Sequence, residues 1–413
     1  MTDTFDVTIE KLVFGGEGMG RLPDGRAVFV PFVLSGEVVR LRLVEEKPHF
    51  ARALPMEILE PSSERIEPRC PHFGKCGGCH YQHMPYEKQL EVKLAVLKDQ
   101  LVRIGGIQNS PVTGITPSDA TWNYRNHVQF HICEDGRLGY KDITGSEVLP
   151  IRECHLPQAE INTTWSQIEL EPGSGIQRLS LRQDSFDEVM LLLEGTEELA
   201  PEMSLDLPVS ACYLAQNGST VTLAGDDALT FQVKDKVLRV SPESFFQVNT
   251  AQTEKMVDFV CAHLPQNRQL EILELYSGVG LFSSFLAPHA SHLTAVESAL
   301  SSCYDFAINM DSFNNVSLYE GAVEQVLSAL IGQLEQPDLV LLDPPRAGLH
   351  PKAREALLKL GSPQIIYISC DPSTLARDLK SLCAAGYKLV DVHAFDMFPQ
   401  TYHVECVVLM SRV

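Results

Sequence analysis

The chain has 413 residues, 44% of them hydrophobic and 21% charged, a balance expected of an ordinary soluble globular protein. That length predicts two to three domains rather than one large core. A net charge of −21 argues against simple wrapping of nucleic acid, because phosphate contact needs a basic face. The charge is uneven, however. Glu160–Asp235 holds 14 acidic against 3 basic residues, whereas Pro61–Phe130 holds 8 basic against 6 acidic, with His72, His80, His83 and His127 in the same region. An RNA partner therefore stays open. Met1–Lys11 is polar and acidic, unlike a signal peptide, and no run of about 18 apolar residues occurs. A cytoplasmic protein with no membrane span is expected.

Residues 1–60 read as short strands at Phe5–Leu12, Arg26–Val30, Val38–Val44 and Ala51–Leu59. Glycines at 15, 16, 18, 20, 25 and 36 punctuate them, which predicts a small β-barrel. Pro61-Ser62-Ser63 marks a linker. Cys70, Cys76 and Cys79 follow as C-x5-C-x2-C. Eleven cysteines in a reducing compartment predict metal ligands, catalytic thiols or inert core residues rather than disulfides. With Cys154, separated from Cys79 by 74 residues, four thiolates could hold zinc or a [4Fe–4S] cluster. Zinc sites more often use two C-x2-C pairs, and only one is present. Pro85–Ile104 carries Leu90, Leu94, Leu97 and Leu101 on one helical face. Residues 111–235 are β-rich, with strands expected at His127–Ile132, Glu188–Leu193 and Ser219–Leu223. From 236 onward, strands at Leu270–Leu275, His292–Val296, Asp338–Leu342, Gln364–Ser369 and His403–Leu409 alternate with helices such as Thr250–Leu264 and Pro351–Leu360. That alternation predicts a doubly wound α/β domain.

Chemistry gathers at the strand ends of this last region. Glu274-Leu275-Tyr276-Ser277-Gly278-Val279-Gly280 follows the first apolar strand, and its glycines would let backbone pass close under a nucleoside. Glu297 ends the next strand, 22 residues after Leu275, where a carboxylate would reach a ribose diol. A nicotinamide site would use similar geometry, but the third glycine of its fingerprint is replaced by Ser283. Asp343-Pro344-Pro345-Arg346 ends a third strand, with two prolines stiffening the turn; a plain helix cap is the alternative for Asp343. Cys370 ends a fourth, in Ile365–Pro372, whereas Cys212, Cys261, Cys303, Cys383 and Cys406 read as inert core thiols. Glu405 sits beside a fifth, after Tyr402-His403-Val404. This set suits one demanding reaction. Uracil carbon 5 is too poor a nucleophile to take a methyl directly. A thiolate added at carbon 6 makes it an enolate, and a base must then remove the carbon 5 proton.

On these motifs the chain resembles the bacterial and archaeal RNA uracil-5-methyltransferases with an N-terminal TRAM domain, and looks most similar to the iron–sulfur type acting on large-subunit ribosomal RNA. Gly15-Gly16-Glu17-Gly18-Met19-Gly20 is similar to the TRAM opening, an OB-like RNA-binding barrel, and Ser241–Asn249 to the segment leading into the catalytic domain. The resemblance implies three parts: a TRAM barrel over 1–60, a β-rich iron–sulfur central domain over 61–235 whose helix at about 85–108 packs on the catalytic domain, and a Rossmann-like methyltransferase domain over 236–413. It implies Cys370 as nucleophile and Glu405 as base. Gln247, Tyr276, Gly278, Gly280, Glu297 and Asp343 fall on positions contacting S-adenosylmethionine. Asp343, Arg346, Phe245 and Arg125 fall on positions contacting RNA, with Phe245 as a stacking ring. It assigns Cys70, Cys76, Cys79 and Cys154 to a [4Fe–4S] cluster. Ala322, after Gly321, stands where the family commonly has an acid. The implied substrate is 23S ribosomal RNA, with the transfer RNA T-loop as alternative, and a monomer is expected. Amino-group methyl transfer, which needs no thiol, and a non-catalytic RNA-binding iron–sulfur protein are rival readings.

Overall fold

The computed structural model describes residues 4–200, 206–266, 268–332 and 335–412. Strands β1 (Thr4–Leu12), β2 (Glu17–Arg21), β3 (Ala27–Pro31), β4 (Val38–Glu46) and β5 (Phe50–Glu60) close a barrel in the order β1-β2-β3-β5-β4. Period-two alternation turns Val7, Ile9, Val28, Val30, Val39 and Leu41 into its core. Strand β2 lies where only glycine punctuation was expected. A Cβ on Gly18 would stand 2.8 Å from Ile9 Cγ2, and one on Gly20 2.7 Å from the Thr8 carbonyl. These glycines are there because the barrel wall passes too close for a side chain.

Helix α1 (Tyr86–Arg103) buries Leu97 and Leu101 in the C-terminal core together with Leu375 and Leu379. Strand β6 (Val112–Thr116) then joins the C-terminal sheet, although it lies inside the span read as central domain. That reading fails because VTGIT carries no mark of its partner strand, which lies about 280 residues further on.

The central sheet has β7 (His127–Ile132), β8 (Leu138–Lys141), β9 (Val148–Pro150), β10 (Ile176–Gln183), β11 (Val189–Gly195), β12 (Ser210–Leu214) and β13 (Thr220–Ala224), in the order β13-β12-β11-β10-β7-β8-β9. Helix α2 (Ala159–Trp165) covers it, with Trp165 packed against Phe130. The hairpin β14 (Leu229–Val233) and β15 (Lys236–Val240) straddles the expected boundary at 235. Its Phe231, Val233 and Leu238 pack into the C-terminal core with Met256 and Val260. The polar pair Lys234-Asp235 is the tight turn of that hairpin.

The C-terminal unit runs α3 (Thr250–Ala262), β16 (Leu270–Leu275), α4 (Leu281–Leu286), β17 (Ala290–Glu297), α5 (Leu300–Asn309), β18 (Val316–Glu320), α6 (Val323–Leu330), β19 (Leu339–Leu342), α7 (Pro351–Leu360), β20 (Gln364–Ser369), α8 (Pro372–Ala384), β21 (Tyr387–Phe395) and β22 (Glu405–Arg412). The sheet order is β18-β17-β16-β19-β20-β22-β21-β6. The first five strands are parallel, and β22 is reversed between β20 and β21. The chain winds away from β16 in both directions, so the carboxyl ends of β16, β17 and β19 border a crevice. Among the described residues no helix is long and apolar enough to cross a membrane.

Candidate active site

The loop after β16 is drawn onto the end of β17. The N–H groups of Tyr276 and Ser277 donate to the Val296 carbonyl at 2.9 and 3.2 Å. Tyr276, Gly278 and Gly280 all have positive φ, at 63°, 56° and 89°. The Glu297 carboxylate accepts from the backbone N–H of Gly278 at 2.9 Å, Ser298 at 2.6 Å and Ala299 at 2.8 Å. A Cβ at Gly278 would meet nothing within 4 Å, so that face of the loop is open. The hydroxyl of Ser277 is buried without a partner. An orphan hydroxyl beside an open glycine face fits a polar ligand such as a nucleoside. Beneath the loop, Ser283 donates its hydroxyl to buried Glu274, whose carboxyl burial pushes up to about 8.

The segment Ser241–Asn249 follows β15 and is tied to α5. Asp305 of α5 accepts from Ser241 N at 2.7 Å, Ser241 Oγ at 2.8 Å and Ser244 Oγ at 2.6 Å, and pairs with Arg239. The next residue, Phe245, is 67% exposed, while Gln247 is buried. Asn126 Nδ2 donates to the Gln247 carbonyl at 3.0 Å. Arg125, expected at an RNA-contacting position, sits between Tyr124 and Asn126, both buried. Arg125 is half-buried with its Nε on the His127 carbonyl at 2.9 Å. Ala322 is the N-cap of α6 and offers no side-chain cap.

Three strands bring the acid and the thiol together. The register of β20 on β22 pairs Ser369 with Cys406, so the next position on each strand sets Cys370 opposite Glu405. Asp343 follows β19, the other neighbour of β20. It caps no helix: α7 begins at Pro351 with His350 as its cap. Burial first, then the charges of Glu405 and Asp343, push the Cys370 thiol up to about 12, while Arg346 pulls it down. Burial likewise pushes Asp343 up to about 7, and Glu405 is raised by burial and by Asp343. Arg346 itself is exposed. One residue beyond the thiol, Asp371 caps α8 by accepting from Ser373 N and Thr374 N at 2.9 Å. Sequence reading missed this role, although an aspartate before an N1 proline signals it. It also missed Ser277 and Asp305, for which no local signal exists.

The four other singled-out cysteines, Cys70, Cys76, Cys79 and Cys154, line one cavity of about 890 Å³ between the barrel and the central sheet, together with Arg125. Burial raises all four thiols, Cys154 to about 11, and the charges of the other three add to Cys79. Among the described residues, no group of three or more His, Cys, Asp or Glu forms a site for a metal ion. The donor chemistry, four thiols on one cavity, is that of a thiolate-held group.

The pattern of the TRAM domain matches residues 2–55, and that of the tRNA (Uracil-5-)-methyltransferase family matches residues 223–413. An uncharacterized RNA methyltransferase of Caldanaerobacter subterraneus subsp. tengcongensis is 32% identical over 100% of this chain and 98% of its own. Another, from Aquifex aeolicus, is 35% identical over 98% of each. The chain belongs to the RNA (uracil-5-)-methyltransferase family. As a member it is an S-adenosylmethionine-dependent RNA methyltransferase. The crystal structure of Pyrococcus abyssi tRNA (uracil-54, C5)-methyltransferase in complex with S-adenosyl-L-homocysteine superposes with a TM-score of 0.75 at 25% identity, covering 98% of this chain and 100% of that one. This family enzyme therefore shares the whole arrangement of parts, barrel included.

Proposed function

We propose that this methyltransferase modifies carbon 5 of a uridine in 23S ribosomal RNA through a covalent bond to Cys370. The reading is supported above all by the opposition of Cys370 and Glu405 across β20 and β22. S-adenosylmethionine, held by Gln247, Tyr276, Gly278, Gly280, Glu297 and Asp343, supplies a methyl group on a sulfonium sulfur that leaves with the bonding pair. The Cys370 thiolate adds to uracil carbon 6, and the displaced π electrons move through carbon 5 to the carbon 4 oxygen. Carbon 5 thereby becomes the nucleophile for the methyl. The Glu405 carboxylate then takes the carbon 5 proton, whose bonding electrons rebuild the 5,6 double bond as the thiolate departs. Asp343 and Arg346 hold the ring, and exposed Phe245 stacks on a neighbouring base. Extruding the uridine costs a few kcal/mol, which such stacking offsets.

Cys70, Cys76, Cys79 and Cys154 are the residues that would hold a [4Fe–4S] cluster. Methyl transfer involves no electron exchange, so the part of the cluster is to tie the Cys70–Cys79 segment to Cys154 as a fold staple that also positions RNA. Anaerobically purified protein should carry about four iron atoms and four acid-labile sulfides per chain; protein without iron and sulfide would refute the cluster. The transfer RNA T-loop remains a second reading, because the Pyrococcus enzyme of the same architecture acts on tRNA uracil-54.

The test uses RNA transcribed with 5-fluorouridine, whose carbon 5 fluorine no base can remove once the methyl is on. A denaturation-resistant protein–RNA adduct should form with the native chain and not with Cys370→Ala. Normal methylation by Cys370→Ala would sink the covalent mechanism and favour amino-group transfer. Mapping 5-methyluridine in ribosomal and transfer RNA from a strain lacking the gene identifies the substrate.

A further inference from the structure

Glu405 is the first residue of β22, and the loop that closes the β21–β22 hairpin, residues 396–404, lies against parts of the chain far away in sequence. Its carbonyls are taken one after another. Met397 accepts from Asn249 Nδ2 at 3.3 Å, Phe398 from Lys93 Nζ at 3.0 Å, and Pro399 from the Tyr124 hydroxyl at 3.0 Å. Gln400 accepts from the N–H groups of His80 and Tyr81 at 2.9 and 3.0 Å. Gln400 is the strained point of the loop, at φ 69° and only 3% exposed. Its N–H donates to Gln89 Oε1 at 2.9 Å, and its own Oε1 accepts from Gln89 Nε2 at 3.0 Å. Two residues on, the Tyr402 ring meets Phe14 of the barrel at 5.4 Å and His80 at 4.6 Å.

A buried carbonyl has no water to turn to, so removing its last donor leaves it unmatched. A non-glycine residue stays in the left-handed region only while its surroundings hold it there. The sheet ladder pairs the Glu405 backbone at its terminal rung, Phe395–Glu405, and the chain on the other side of Glu405 is this loop. We propose that Gln89, through its paired contacts with Gln400, is a positioning residue for the base: the N-terminal half of the chain sets the geometry in which Glu405 removes the carbon 5 proton. This rests on the assignment of Glu405 as base.

Mispositioning the base has a signature that general loosening lacks. Addition and methyl transfer precede the base step, so a displaced Glu405 leaves the methylated covalent adduct in place. Gln89→Leu nearly keeps the volume and removes both contacts with Gln400, along with the donations of Nε2 to the Tyr81 and Met84 carbonyls at 3.3 Å. It is incubated with hypomethylated total RNA from a strain lacking the gene and methyl-labelled S-adenosylmethionine. Release of 5-methyluridine should slow about ten- to a hundredfold, labelled adduct should accumulate on denaturing gels, and affinity for S-adenosylmethionine should stay within about twofold. Tyr124→Phe, which removes one hydroxyl, should do the same more weakly and decides the matter if Gln89→Leu does not fold. Glu405→Gln is the reference. Adduct in Glu405→Gln but none in either positioning variant overturns the proposal; no adduct in Glu405→Gln overturns the base assignment and the proposal with it.

Discussion

The backbone N–H of Gly278 donates to a carboxylate oxygen of Glu297 at 2.9 Å, so the glycine loop after β16 and the end of β17 form one rigid unit. Gly280, at φ 89°, begins α4 with its α-carbon facing Phe306 Cδ2 and Met310 Cε, which an added Cβ would meet at 3.1 and 3.2 Å. Gly280→Ala should therefore destabilise the fold by about 1 kcal/mol or more. It should also weaken S-adenosylmethionine binding at least tenfold by calorimetric titration. Unchanged binding would remove the loop from the cofactor site.

Arg346 is a positive charge that pulls the Cys370 thiol down against burial and the surrounding acids. The thiolate is the reactive form, so losing the guanidinium raises the thiol further and shrinks the reactive fraction. Arg346→Gln should slow iodoacetamide alkylation of the Cys370 peptide several-fold, read by mass spectrometry. Equal or faster alkylation contradicts the electrostatic role.

Burial raises Glu274 to about 8, so the native state holds a proton that the unfolded chain releases above about pH 4. The native state is then the stronger proton binder, and the stability drawn from this group is present at low pH and lost as pH rises toward 8. The slope is up to about 1.4 kcal/mol per pH unit. Glu274→Gln resembles the protonated acid and lacks that slope. Its stability relative to the native chain, measured by urea unfolding, should improve steadily between pH 5 and pH 8; a flat difference refutes the assignment.

Lys93 and Asp396 form an ion pair at 2.5 Å with both side chains fully buried. Lys93→Met leaves the carboxylate uncompensated and should cost about 3–5 kcal/mol. Replacing both, Lys93→Met with Asp396→Leu, should recover much of that loss. A double variant no better than the single one would show that the charges are not coupled.

The local chemistry of this protein is written in contiguous residues. The glycine loop after an apolar strand, the Asp-Pro-Pro-Arg turn and the thiol at a strand tip each depend on a few neighbours, so family and fold class could be read from the chain alone. Alternation likewise revealed four of the five barrel strands; β2 escaped because Gly18 and Gly20 answer to Val7, Thr8 and Ile9 of the neighbouring strand β1, and Gly18 also to Val33, rather than to their own strand. What the tertiary structure alone decided is which distant pieces meet. Backbone hydrogen bonds carry no residue code, so nothing in Val112–Thr116 names β21 as its partner, and nothing in Gln89 or Tyr124 names the loop before Glu405. Those meetings arise from buried polar groups that must be paired once the core has closed, a condition that exists only in the folded chain.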